Sequence, residues 1–203
     1  MIHIVDYGLG NVGAFLTIYN RLNIEARAAK TAEALRDADH ILLPGVGSFD
    51  HAMELLEQSG MRESLDELVL ERGVPVLGVC VGMQILGEAS EEGSSAGLGW
   101  IKGVVRSLAG REATARMPLP HMGWNDVEPT RPLDLIGAME DPRFYFLHSF
   151  YFDNARSEDC AATVDYGDRF TCMVQRDNVM GVQFHPEKSH HFGSALLKNF
   201  AEL

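Results

Sequence analysis

The feature that most limits how this chain can fold is an alternation in its first eighty residues, where short apolar runs end abruptly and give way to helical spacing. Residues 2–6 (IHIVD), 24–29 (IEARAA), 41–47 (ILLPGVG, ending at a Pro-Gly turn) and 75–79 (PVLGV) read as strands. Residues 12–22, 32–40 and 49–72 carry helical patterns, the last broken near Ser59-Gly60. Buried strands that alternate with helices predict an open, mostly parallel central sheet with flanking helices. After Gly99 the texture changes to short β-like runs separated by turns, which predicts an added antiparallel β region in the second half and a final helix over 193–201. Residues 88–97 (EASEEGSSAG) read as a surface excursion, and with no repeat or linker the chain is expected to form a single domain over 1–203.

Seventeen basic against 29 acidic residues give a formal net charge of -12, which repels a phosphate backbone and argues against nucleic acid or an anionic membrane as the main partner. No apolar run approaches the ~18 residues of a membrane span, so a soluble protein is expected, and the sparse cysteines favour a reducing, cytoplasmic setting. Cys80, Cys160 and Cys172 are too few and scattered for a disulfide framework, and none forms a C-x-x-C pair.

Cys80 stands out because it ends a buried strand between two glycines, Gly78-Val79-Cys80-Val81-Gly82, and is followed by helical spacing over 81–88. That arrangement resembles a nucleophile elbow, in which a sharp strand-to-helix turn projects the reactive atom. Sulfur at the amino end of a helix is favoured as thiolate, and the Val81 N–H faces the place where an oxyanion would form. A small buried cysteine is the competing reading, and a base is needed to decide between them.

His185 is the strongest base candidate: it follows the apolar run VMGVQF and precedes Pro186, where strand pairing must stop. Glu187 can hold one ring nitrogen while the other faces a thiol. The turn Pro44-Gly45-Val46-Gly47 follows another buried strand at the same sheet edge and can present an inward N–H to an oxyanion. His185, Glu187, His190 and His191 lack the helical spacing of a zinc site, so no metal and no cofactor are expected. Gly8, Gly10 and Gly13 satisfy the letters of a dinucleotide-binding turn, with Glu25 or Glu33 downstream, but a lone match of this kind is weak.

Taken together, DYGLGN, PGVGSFD, GVCVGMQIL, GLGWI, PHMGWN, FYFLHSF, ATVDYG and GVQFHPEKS resemble, in order and along the whole chain, the class I, triad-type glutamine amidotransferases. DYGLGN, PHMGWN and HPEKS are most similar to the glutaminase subunits of imidazole glycerol phosphate synthase, the HisH type. The resemblance implies glutamine hydrolysis through a thioester on Cys80, with His185 and Glu187 completing the triad. It implies an oxyanion hole from Val81 with Val46 or Gly47, and glutamine contacts at Gly45, Gly47, Gln84, Ser149 and Phe150. Low activity alone is implied too, because in similar enzymes the glycine-rich turn responds to the partner. That partner would be a (β/α)8-barrel cyclase subunit in histidine biosynthesis, forming a heterodimer along whose ammonia passage or interface Asn11, His121, Met122, Trp124, Asn125 and Lys188 would lie.

The chain departs from that pattern in places. Gly13-Ala14 stands where many such subunits have Arg-Ser, and Phe150 where they often have Tyr. GLGWI and KSHHFGSALLKNF look closer to paralogues that supply ammonia to an N-acetyl sugar amidotransferase in surface-polysaccharide synthesis, which stays open as an alternative. A cysteine peptidase or chaperone of a related α/β fold, and a non-catalytic scaffold, are the other readings.

Overall fold

The computed structural model describes residues 1–112, 114 and 117–203. Its first half is built from β1 (Ile2–Val5), α1 (Val12–Arg21), β2 (Ala26–Ala29), β3 (His40–Gly45), α2 (Phe49–Gln58), α3 (Arg62–Asp66), β4 (Val76–Cys80) and α4 (Val81–Gln84). The second half adds β5 (Ala89–Ser90), β6 (Gly103–Ser107), β7 (His121–Asp126), β8 (Glu128–Pro129), β9 (Arg143–His148), β10 (Phe150–Asn154), β11 (Cys160–Asp165), β12 (Arg169–Arg176), β13 (Val179–Val182) and α5 (His190–Ala201).

The main sheet runs β2-β1-β3-β4-β13-β12-β10-β6-β5, with β11 and β8 attached beside β12. Pairing is parallel from β2 through β13 and antiparallel from β13 to β6. β1, β4 and β13 are buried at every residue, as strands covered on both faces must be, which is why their sequences do not alternate. The predicted mostly parallel sheet with an antiparallel addition is therefore the observed architecture. The decisive detail is that β13, nearly last in sequence, enters beside β4. β7 and β9 form a separate two-stranded antiparallel sheet.

Several boundaries differ from the sequence reading, each for a tertiary reason. β3 runs through Pro44 and Gly45, and the turn starts only at Val46, because pairing with β1 ends at Leu42 while pairing with β4 continues to Gly45 opposite Cys80. The helix after Cys80 lasts four residues, not to 88. The backbone N–H of Glu88 donates to Gly103 O at 2.9 Å and its carboxylate accepts from Gly103 N and Lys102 Nζ, which draws the chain toward β6. Residues 32–40 form only a short 3-10 turn, Glu33–Leu35, because Asp37 pairs with Arg27 and Asp39 with the chain amino terminus. The excursion at 88–97 is largely exposed but pinned: Asp50 accepts from the Ser94 and Ser95 N–H groups, and Glu92 from that of Phe49. The last helix begins three residues earlier than expected, at His190.

The turn after β1 rests on β3. Tyr7 donates its hydroxyl hydrogen to Pro44 O at 2.8 Å, and a Cβ on Gly10 would fall 2.5 Å from Pro44 Cβ. A glycine at that position is thus explained by close approach to Pro44 near the end of β3. No helix among the described residues is long and apolar enough to cross a membrane.

Candidate active site

β4 delivers Cys80 at the carboxyl edge of the sheet with backbone angles φ 56° and ψ -113°, a region side chains rarely adopt. Strain of this kind persists only where surrounding packing enforces it. The flanking glycines are part of that packing: a Cβ on Gly78 would meet Gly82 O at 2.5 Å, and one on Gly82 would meet Leu43 O at 2.0 Å. The glycine spacing is therefore the imprint of a backbone folded tightly on itself and on β3. With Val81 as the first residue of α4, its amide lies beside the sulfur. A helix of four residues carries little macrodipole, so local N–H groups matter more here than a helix field.

β13 brings the candidate base. Its register pairs Val182 with Val79, so the chain continues past Cys80 to His185. The His185 N–H donates to Tyr145 O at 2.9 Å, its carbonyl accepts from Ser189 Oγ at 2.7 Å, and Ser189 Oγ accepts from Tyr145 N at 2.9 Å. Buried Ser189 thus locks the His-Pro-Glu-Lys turn to β9. In the ring, Nδ1 lies 2.8 Å from Glu187 Oε1, leaving Nε2 for the sulfur. Burial pulls the pKa of His185 down, but hydrogen bonds to Cys80 and Glu187 outweigh it and raise the pKa to about 10. The pairing with Glu187 and Cys80 therefore favours the protonated imidazole.

Cys80 and His185 open into a cavity of about 300 Å³ lined also by Val46, Gly47, Val81, Gln84, Ser149 and Phe150. Glu92, Pro120, Leu147, His148 and Lys188 complete its wall. Gln84 is buried, donating to Gln183 Oε1 at 3.1 Å and, at 3.5 Å, to Phe150 O. Gln183 donates in turn to Cys80 Sγ at 3.8 Å. A thiol beside an imidazole that a carboxylate holds, with backbone N–H groups and a polar pocket next to them, is an arrangement that can support acyl transfer.

The model of the family described as glutamine amidotransferase class-I matches residues 2–203. The chain belongs to the class-I glutamine amidotransferase family. Over 204 residues, covering all of both chains, this amidotransferase is 53% identical to imidazole glycerol phosphate synthase subunit HisH of Bdellovibrio bacteriovorus. It is 50% identical, with the same coverage, to the protein of that name in Leptospira interrogans. A solved structure described as a glutamine amidotransferase superposes with a TM-score of 0.74 over 99% of this chain and 97% of the other at 20% identity. A chain of the PurLQS structure of Thermotoga maritima gives the same TM-score over the same shares at 17% identity.

Other predicted positions are less uniform. The amidotransferase's Gly45 is not in the cavity wall: it is the last residue of β3, paired with Cys80. Met122 and Trp124 are 62% and 39% exposed on the outer face of β7, and Asn11 is exposed at the start of α1, its side chain accepting from Ala14 N. His121 points the other way. It is buried, because successive residues of a strand face opposite sides, and so it cannot belong to an outer contact surface. Lys188 is exposed at the cavity rim, its Nζ 5.9 Å from the Tyr145 ring centroid.

The sequence reading assigned no role to Gln183, His148 or Glu92. The first two had a signal, a polar residue inside an otherwise apolar strand run, which in a buried sheet needs a partner. Glu92 sits in the exposed excursion, where no periodicity marks it.

Proposed function

We propose that the chain is one glutaminase domain whose triad is Cys80, His185 and Glu187, and that it supplies ammonia to a (β/α)8-barrel cyclase subunit of imidazole glycerol phosphate synthase. The observation that carries the reading is the meeting of Cys80 with His185, held by Glu187, at one cavity. The full-length similarity to two synthase subunits directs it to that pathway.

In this mechanism Cys80 Sγ, as thiolate, attacks the side-chain carbonyl carbon of glutamine. The carbonyl oxygen becomes an oxyanion received by the Val81 N–H and by the turn at Val46 and Gly47. His185 Nε2 gives its proton to the amide nitrogen, the C–N bond breaks, and ammonia leaves a γ-glutamyl thioester on Cys80. Water then attacks the thioester and passes a proton to His185. The ion pair is restored, the new carboxylic acid loses its proton to solvent as it departs, and one glutamine and one water give one glutamate, one ammonia and one proton.

Gln84, Gly47, Ser149 and Phe150 hold the substrate, and the exposed carboxylate of Glu92 meets its α-ammonium. Met122, Trp124, Asn11 and Lys188 form the docking face. Leu147, which lines the cavity, pairs with Met122 across β7 and β9 and so lies on the same side of that sheet, which brings the pocket wall up to that face.

The test is glutamate release by the purified chain, alone and with a purified barrel cyclase and its nucleotide substrate. Stimulation of release, together with formation of the imidazole product, is expected. Failure with the cyclase but stimulation by a sugar amidotransferase would move the chain to the paralogous pathway, and failure to hydrolyse glutamine with either would sink the assignment of the triad.

A further inference from the structure

Behind the docking strand lies a pair of buried histidines that the mechanism does not use. His121 Nδ1 and His148 Nε2 are 2.9 Å apart, and His148 Nδ1 is 2.7 Å from the carbonyl oxygen of Phe150. At the outer end, Asn125 Nδ2 is 3.3 Å from His121 Nε2 and donates to Asp165 O at 2.8 Å. His121 stacks on Phe146 and Tyr166 at centroid distances of 4.6 and 4.0 Å, which fixes the plane of its ring.

The direction of every hydrogen bond follows from the two ends. A carbonyl oxygen only accepts, so His148 Nδ1 carries the hydrogen. A neutral imidazole has one N–H, which leaves His148 Nε2 a bare lone pair, and His121 Nδ1 must donate to it. His121 Nε2 is then also an acceptor, and the amide group of Asn125 has one hydrogen for it and one for Asp165. Burial supports neutrality of both rings, holding His148 at about 3 and His121 at about 4. The chain of donors therefore runs one way, from Asn125 on the docking strand to the carbonyl of Phe150. That carbonyl also faces Gln84 Nε2, and Gln84 leads through Gln183 to Cys80 Sγ.

We infer that His121 and His148 are positioning residues for glutamine, a directed relay that sets the wall at residues 148–150 from the inner side of the docking strand. The inference rests on the glutamine pocket proposed above. Neither ring reacts: each acts by presenting one N–H and one lone pair at fixed positions. The structure makes this more than packing, since His148 itself lines the cavity and both of its nitrogens are committed. An aromatic of similar size would keep the stacking and lose the relay.

The experiment compares His121→Phe with His121→Asn in the full chain bound to its synthase partner, reading KM and kcat for L-glutamine separately. The Asn amide can place an N–H where Nδ1 now sits. Expected are a KM raised about tenfold in His121→Phe, kcat within about threefold of the parent, and a KM in His121→Asn within about threefold of it. Equal KM values for His121→Phe and the parent would overturn the inference, as would equal increases in the two variants, since a space-filling role predicts no rescue by a smaller polar residue. Nitrogen-15 spectra of the histidine-labelled parent provide a readout that needs no variant: both rings should be neutral with the proton on Nδ1. A proton on His148 Nε2 would refute the relay. If the parent itself does not hydrolyse glutamine, the functional reading fails while the tautomers remain measurable, so the two failures are distinguishable.

Discussion

Replacing Gly82 by alanine tests whether the elbow is held in place by backbone packing. The added Cβ would stand 2.0 Å from Leu43 O, 3.0 Å from Leu43 C and 3.2 Å from Pro44 C. All three are main-chain atoms of β3, so no side chain can swing aside. Restoring ordinary contact at roughly 3.5 Å requires the start of α4 and the end of β3 to separate by more than about 1 Å. Overfilling a packed site costs about 1–3 kcal/mol. The same separation moves the turn at Val46 and Gly47 away from Cys80, and a misplacement of about 1 Å in a catalytic arrangement costs on the order of 10²-fold in rate.

The assays are glutamate release by the chain with its partner and the urea midpoint of the chain alone. Both should fall in Gly82→Ala. Gly13→Ala is the control: its Cβ would meet nothing within 4 Å, and it lies inside α1 with no positive φ, so it should gain about 0.5–1 kcal/mol. A Gly82→Ala protein within about threefold of the parent in kcat/KM, with an unchanged midpoint, would refute the reasoning that these glycines exist for close approach.

Other consequences are open to measurement. Because Cys80 sits at φ 56°, Cys80→Gly should be more stable to urea than Cys80→Ala by about 1 kcal/mol, the reverse of the usual order, and both should lack glutamine turnover. Met122→Asp and Trp124→Ala should abolish stimulation by the partner while leaving basal glutaminase within about threefold, as read by titrating the cyclase. The depressed pKa of His121, about 4, means the unfolded chain takes up a proton below pH 6.5 that the folded chain refuses, so this ring's contribution is present above pH 6.5 and lost as pH falls toward 4. Between pH 8 and pH 5 the parent should therefore lose ~1–2 kcal/mol more stability in urea than His121→Asn, and identical pH profiles would contradict a neutral buried ring.

What the amino-acid order discloses is what short-range geometry encodes. Gly78 is legible because it makes room for Gly82 and Met83, a few residues on in the same sharp turn, and His185 with Glu187 is a pair two residues apart, whereas the approach of Gly82 to Leu43 of β3 is a distant one. Residues whose roles depend on distant pairing were not legible. Which face of β7 His121 takes is fixed by its pairing with His148, 27 residues away, and strand parity then places Met122 and Trp124 outside. Gln183 reaches Cys80 across 103 residues of sequence, through the insertion of β13 beside β4. Likewise the helix after Cys80 stops because Glu88 binds residues of the β6 edge, a partner that helical spacing cannot foresee.

The same topology divides the site into a fixed and an adjustable part. Cys80 and the strand leading to His185 are tied by the parallel ladder from Val76 and Val179 to Val79 and Val182, and the turn that carries His185 is bolted to β9 by Ser189. Every residue of β4 and β13 is buried, so a surface contact cannot readily shift Cys80 against His185. Val46, by contrast, is 39% exposed just beyond the end of β3, and β7 offers one face to solvent while His121 on its other face meets His148 of the cavity wall. Under the proposed function, a partner docking on that side would have two physical routes inward, the turn at Val46 and Gly47 and the pair His121 and His148, and both would act on how glutamine is held, leaving Cys80 and His185 where the sheet puts them.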